Sequence, residues 1–192
     1  MRAAESKSTR DAGFTIIEVL IAMVLLSIVA LGVAQMFGLA IQATQAARFQ
    51  TSTTVLASQK LEQLRALTWG FDSSGSGLPV SDTSTNLAVE PPTGSGGGLD
   101  PSPANSLEVN TPGYVDFLDS RGQWVGTGTA APPNALYIRR WNISPLPINP
   151  NNTLILQVLV TTVHRDRQAV AGPRQRLADE ALVATIKTRK AR

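Results

Sequence analysis

The chain has 192 residues, 43% of them hydrophobic and 16% charged, with a formal net charge of +3. With no cysteine and a single histidine, His164, it has no thiol nucleophile and no Cys/His set for zinc, and a serine triad would have to use that one imidazole. The charge is too small to mark a nucleic-acid-binding surface, and the length supports one modest core besides any extended element.

The first 13 residues carry Arg2, Lys7 and Arg10 against Glu5 and Asp11. Between Ala12 and Ala47 the only charge is Glu18, and Phe14 to Ala34 is almost purely apolar. About twenty apolar residues suffice to cross a bilayer core as a helix. The basic excess ahead of the run predicts a cytoplasmic N-terminus and an outward-facing remainder. A charge at the centre of a lipid-embedded helix costs about 2.5–3.5 kcal/mol, and less near the interface. At the mouth of the run, Glu18 is therefore either an interfacial acid reaching water or a group with a partner.

The segment Gly13-Phe14-Thr15-Ile16-Ile17-Glu18-Val19-Leu20 resembles the class III signal of type IV prepilins and of type II secretion pseudopilins. The resemblance implies that a membrane aspartyl prepilin peptidase cuts after Gly13, releasing residues 1–13 as a leader, and methylates the new amine of Phe14. Glycine at the scissile position obstructs an extended peptide in a protease cleft least. The freed Phe14 amine is cationic, and an opposite charge close by keeps both groups ionised. The implied partner is Glu18 of a neighbouring subunit, because a matched pair removes the penalty of a lone buried charge. The competing reading is an ordinary secretory signal, with an apolar core of about 7–15 residues and a small-x-small cleavage site. Gly38-Leu39-Ala40 would provide that site, giving a secreted binding module that begins at Ile41. The longer run, and the peptidase-type motif placed before it, oppose this.

No proline occurs before Pro79, and residues 14 to about 67 are good helix formers, with Gly70 as a stop. One helix is predicted, roughly 80 Å long at 1.5 Å per residue. Gly32 and Gly38 serve either to soften it or to admit neighbouring helices. Ala57, Leu61 and Leu64 form an apolar stripe on its second half, with Gln59, Lys60, Glu62, Gln63 and Arg65 expected on the other sides. The stretch from Ala57 to Arg65 resembles the corresponding helix of PilV-type minor pilins and of the pseudopilin GspI. Residues 69–112 turn to Gly, Ser, Thr, Pro and Asn, including Gly94-Ser-Gly-Gly-Gly98, and read as loop or linker. That glycine cluster neither follows a strand nor opens a helix, so it is not a phosphate cradle.

Beyond Pro112 the pattern is β. Tyr114–Leu118 and Gln123–Val125 flank an Asp119–Gly122 turn as a hairpin, and strands follow at 136–143, 153–163 and 181–188. Leu154, Leu156, Val158 and Val160 share one face, with Gln157 and Thr161 on the other, predicting a sheet packed on one side. Tyr137-Ile-Arg-Arg-Trp141 and Thr185-Ile186 resemble parts of the C-terminal sheet of PilV-type minor pilins. The Thr162-Val-His-Arg165 segment departs from the tryptophan-containing strand often found there, and the disulfide loop of many major pilins is absent.

His164 is expected on a strand, packed or solvated rather than catalytic. Asp116 and Asp119 suit calcium as oxygen ligands, but turn chemistry explains Asp119 equally well, and no metal is assigned. Lys187, Arg189, Lys190 and Arg192 form a basic tail, read as a solvated terminus rather than a phosphate contact. Removing the leader leaves a net charge of +2.

The sequence thus predicts an α+β protein of pilin-like fold. Its parts are a cleaved leader (1–13), an N-terminal helix (14–68, with 14–40 in membrane or filament core), a loop (69–112) and an antiparallel sheet head (113–192). The resemblance implies a non-enzymatic minor pilin without cofactors, held in the inner membrane by one span with its head periplasmic, and later part of a surface type IV pilus. Its implied partners are other minor and major pilins, prepilin peptidase, the inner-membrane assembly platform and a tip adhesin. A type II secretion pseudopilin is the alternative; no nucleic-acid partner is expected.

Overall fold

The computed structural model describes residues 13, 15–74, 76–169 and 180–189. The leader residues 1–12, Phe14, Lys190 and Arg192 lie outside these. The chain divides into two units, Met1–Gln45 and Ala46–Arg192. Helix α1, Ile16–Ala66, contributes its first part to one and its last part to the other.

In the first unit every described residue is exposed, including large apolar side chains from Ile16 to Ile41. An 18-residue window of α1 has a mean hydropathy of 2.8, long and apolar enough to cross a membrane. Its polar hydroxyl is satisfied internally, since Ser27 Oγ donates to the Met23 carbonyl at 2.8 Å. A helical stretch whose apolar side chains are exposed on all sides is suited to lipid or other helices around it.

The second unit is built on a five-stranded antiparallel sheet. Its strands are β3 (Val115–Leu118), β4 (Trp124–Gly126), β5 (Tyr137–Pro145), β6 (Thr153–Thr162) and β7 (Ala181–Thr188), in the order β4-β3-β5-β6-β7. Thr53, Leu56, Ala57, Lys60, Leu61 and Leu64 are the buried residues of α1. Their three- and four-residue spacing forms one stripe. The apolar members pack against Leu154, Leu156, Val158 and Val160 of β6 with Trp141 and Ile143 of β5. Each fully buried aliphatic or aromatic side chain here contributes on the order of 1.5–3 kcal/mol.

Two expectations change. The opposite face of the sheet is also partly covered: Val115, Phe117 and Ile138 cluster with Val163, Val125, Ala131 and Ala135. The chain turns from β6 directly into a short helix α2, Val163–Ala169, which Arg140 holds by a partly buried ion pair to Asp166 at 2.7 Å. His164 therefore sits exposed on a helix, not on a strand.

The predicted loop at 69–112 contains a ribbon of β1 (Trp69–Phe71) and β2 (Pro79–Ser81). Further on, Leu87, Ala88 and Leu99 enter the main core. The β3–β4 turn forms as predicted. Asp119 Oδ1 accepts from the N–H groups of Arg121 and Gln123, and Gly122 adopts φ +76°, a conformation that glycine adopts freely.

Candidate functional site

The sequence places the candidate site at the start of α1. Thr15 precedes the first helical residue, and its carbonyl accepts from the N–H groups of Glu18 (3.1 Å) and Val19 (3.3 Å). The Glu18 N–H also approaches Thr15 Oγ1 at 3.4 Å. Thr15-Ile16-Ile17-Glu18 thus has the spacing of a capping box, and an acid in the first turn complements the helix dipole. Glu18 is exposed, and no ion pair joins it to another described residue.

Gly13 is exposed, and a Cβ added there meets nothing within 4 Å. Among the described residues, then, nothing crowds this position. The proposed cleavage and methylation point, Phe14, falls outside the described residues.

The other candidates resolve differently. Asp116 and Asp119 do not converge: Asp116 is buried between the sheet and α1, whereas Asp119 serves its own turn. The Lys187 ammonium donates to the Arg65 carbonyl at the end of α1. Arg189 stacks on Trp69, with its guanidinium carbon 3.6 Å from the ring centroid, and donates to the carbonyls of Gly70, Val80 and Asn151. These two residues of the basic tail are fastened to the head rather than solvated.

The group that the sequence reading misplaced is Lys60, which is wholly buried rather than on a polar side of the helix. Its ammonium lies 2.8 Å from Asp116 Oδ2, donates to the Leu87 carbonyl at 2.6 Å and sits 4.6 Å from the Trp141 ring centroid. Arg139 grips the same carboxylate through Nε (2.9 Å) and Nη2 (2.8 Å), and donates through Nη1 to the Leu56 carbonyl. Burial lowers the Lys60 pKa to about 8, with Arg139 pushing the same way and Asp116 opposing. The signal was in the spacing: position 60 is three residues after Ala57 and four before Leu64, inside the apolar stripe. This cluster ties α1 to β3, β5 and the segment around Leu87.

Residues 8–34, which contain Gly13, Thr15 and Glu18, match the family model for the prokaryotic N-terminal methylation motif. No curated protein and no solved structure matches the chain. The chain thus carries a type IV pilin-like prepilin signal, followed by an apolar helix suited to membrane anchoring and an antiparallel head, an α+β arrangement consistent with the pilin-like fold.

Proposed function

We propose that this protein is a minor pilin of a type IV pilus: a non-enzymatic subunit cut after Gly13, methylated on Phe14 and used in a priming or tip complex that supports adhesion and twitching motility. The observation that carries this reading is the methylation motif overlapping the first part of a helix whose large apolar side chains from Ile16 to Ile41 are exposed. Such a helix is stable in lipid before assembly and among like helices afterwards.

In this reading the precursor spans the inner membrane once, with the leader cytoplasmic and the head periplasmic. Prepilin peptidase processes it, the assembly platform extracts it, and other minor and major pilins, with a tip adhesin, surround it. The head, with its buried charges satisfied, offers contact surface rather than chemistry.

Two measurements test the proposal. Sequencing of the mature N-terminus is expected to give N-methylated Phe14; Ile41 instead would identify an ordinary secreted protein. A deletion strain is expected to lose surface pili or twitching. Retained motility with loss of exoprotein release would assign the chain to a type II secretion pseudopilus.

A further inference from the structure

Beside the buried Lys60 cluster, between the second half of α1 and the β3–β4 turn, lies a cavity of about 740 Å³, a size suited to a small-molecule site. Val55, Gln59 and Gln63 line one side at four-residue intervals, on the flank of the buried stripe. Gln123 and Trp124 line the other, together with Glu90 and Arg139. All of these residues belong to the second unit.

The wall carries polar capacity that the fold does not use. Arg139 is only 3% exposed. Its guanidinium has five N–H donors, and Asp116 with the Leu56 carbonyl takes three of them. Gln63 donates to Glu90 at 3.3 Å, yet its Oε1, closed off from solvent, accepts from no described residue. A buried acceptor left unpaired carries its full desolvation penalty, and a terminal amide turns easily about its last torsion to meet a donor. No hydrogen bond joins the side chains of Gln59 and Gln123 to another described residue. Trp124 commits its one donor to the Ala88 carbonyl at 2.9 Å, so what it presents to the cavity is ring carbon.

The complement of such a wall is a group that donates and accepts at once, repeated around an apolar face. A hydroxyl does both. An ionic ligand finds no counter-charge here. Glu62, which also lines the cavity, pairs with Arg65, while Glu90 and Asp116 offset Lys60 and Arg139.

We propose that this cavity is a saccharide-binding site that takes an uncharged sugar ring. The C–H face of the sugar lies on Trp124. Its hydroxyls donate to Gln63 Oε1 and Glu90 and accept from Arg139 and the Gln59 amide, and a site built this way rejects an analogue that lacks those hydroxyls.

The test applies the full chain, in a sugar-free amine-oxide detergent, to an array of immobilised neutral and acidic oligosaccharides. Retention on neutral glycans is expected, competed by the same sugar in solution and weakened about tenfold or more in Gln59→Leu and in Gln63→Leu. Gln63→Leu also removes the unpaired Oε1, so its melting temperature is expected to equal or exceed that of the wild type while its binding falls. No retention, equal retention of acidic glycans, or unchanged retention in both variants overturns the proposal, as does a loss of binding only in variants that also melt early. Processing at Gly13 plays no part in this assay, so its outcome is independent of the pilin reading.

Discussion

Lys60 Nζ and Asp116 Oδ2 meet at 2.8 Å with both side chains shut off from solvent, and Arg139 binds the same carboxylate from the other side. One anion thus serves two buried cations. Removing one partner of a buried pair costs about 3–5 kcal/mol, whereas replacing a buried ion with an apolar group of similar size is often nearly neutral. Asp116→Asn, which strands both cations, is expected to fall in that range. Lys60→Met leaves the Arg139–Asp116 pair intact and forfeits chiefly the bond to the Leu87 carbonyl, about 1 kcal/mol. Denaturant titration of the two variants checks the order; a Lys60→Met loss as large as that of Asp116→Asn would refute it.

The same lysine makes stability depend on alkaline pH. Its pKa falls from 10.5 to about 8 on folding, so between those values the unfolded chain holds a proton that the folded chain has released. Stability therefore rises with pH through this window and is lost again as pH falls through about 8. The gain is on the order of 3 kcal/mol at 1.36 kcal/mol per pKa unit. Lys60→Met is expected to flatten the rise, and melting curves taken between the two pKa values for both proteins check it.

The buried lysine also shows where sequence reasoning reached and where it stopped. The long helix, the β3–β4 turn and the strands at 137–145, 153–162 and 181–188 were legible because their periodicities of 3.6 and 2 persist over many residues. Lys60 was assigned by residue type rather than by position, although its spacing put it inside the stripe. The order within 69–112 was hidden for another reason. Leu87, Ala88 and Leu99 are too sparse to form a period, and what fixes that stretch is tertiary: Lys60 donates to the Leu87 carbonyl and Trp124 Nε1 to the Ala88 carbonyl. The N-terminal methylation motif was readable from the sequence because it is carried by consecutive residues, 8–34, and not by a fold.

The glycine cluster in that stretch makes the tertiary constraint testable. A Cβ on Gly96 would lie 2.2 Å from Asn86 Cα, and one on Gly98, at φ +50°, would lie 2.3 Å from the Asp82 carbonyl oxygen. Both contacts are with backbone, which cannot swing aside. A Cβ on Gly94 meets nothing within 4 Å. Gly96→Ala and Gly98→Ala are expected to cost upwards of about 2 kcal/mol, and Gly94→Ala to stay within about 0.5 kcal/mol. Thermal unfolding of the three variants measures this, and equal effects would mean the stretch is a linker after all.

Arg189 fastens the β1–β2 ribbon, whose strands have only three residues each and are too short to persist alone. Its guanidinium stacks on Trp69 and reaches the carbonyls of Gly70 and Val80 and the hydroxyl of Ser81. Arg189→Ala is expected to loosen the ribbon by about 1–3 kcal/mol. Lysine at this position cannot reproduce the planar fork, so Arg189→Lys is expected to restore little. Hydrogen exchange of the amides at 69–71 and 79–81 reports the change; unaltered protection in Arg189→Ala would remove the residue from this role.

Glu18 has two physical explanations that a single substitution separates. As the residue three positions beyond Thr15, it suits a capping box, where glutamine serves as well as glutamate. As the counter-ion of a freed Phe14 amine on a neighbouring subunit, it must carry charge, because an uncompensated cation among packed apolar helices is costly. Glu18→Gln keeps the first role and abolishes the second; Glu18→Ala abolishes both. If pairing is what assembly requires, both variants are cleaved after Gly13 and remain in the membrane, absent from sheared filaments. Incorporation of Glu18→Gln at the wild-type level, with Glu18→Ala excluded, would reduce the residue to a helix cap.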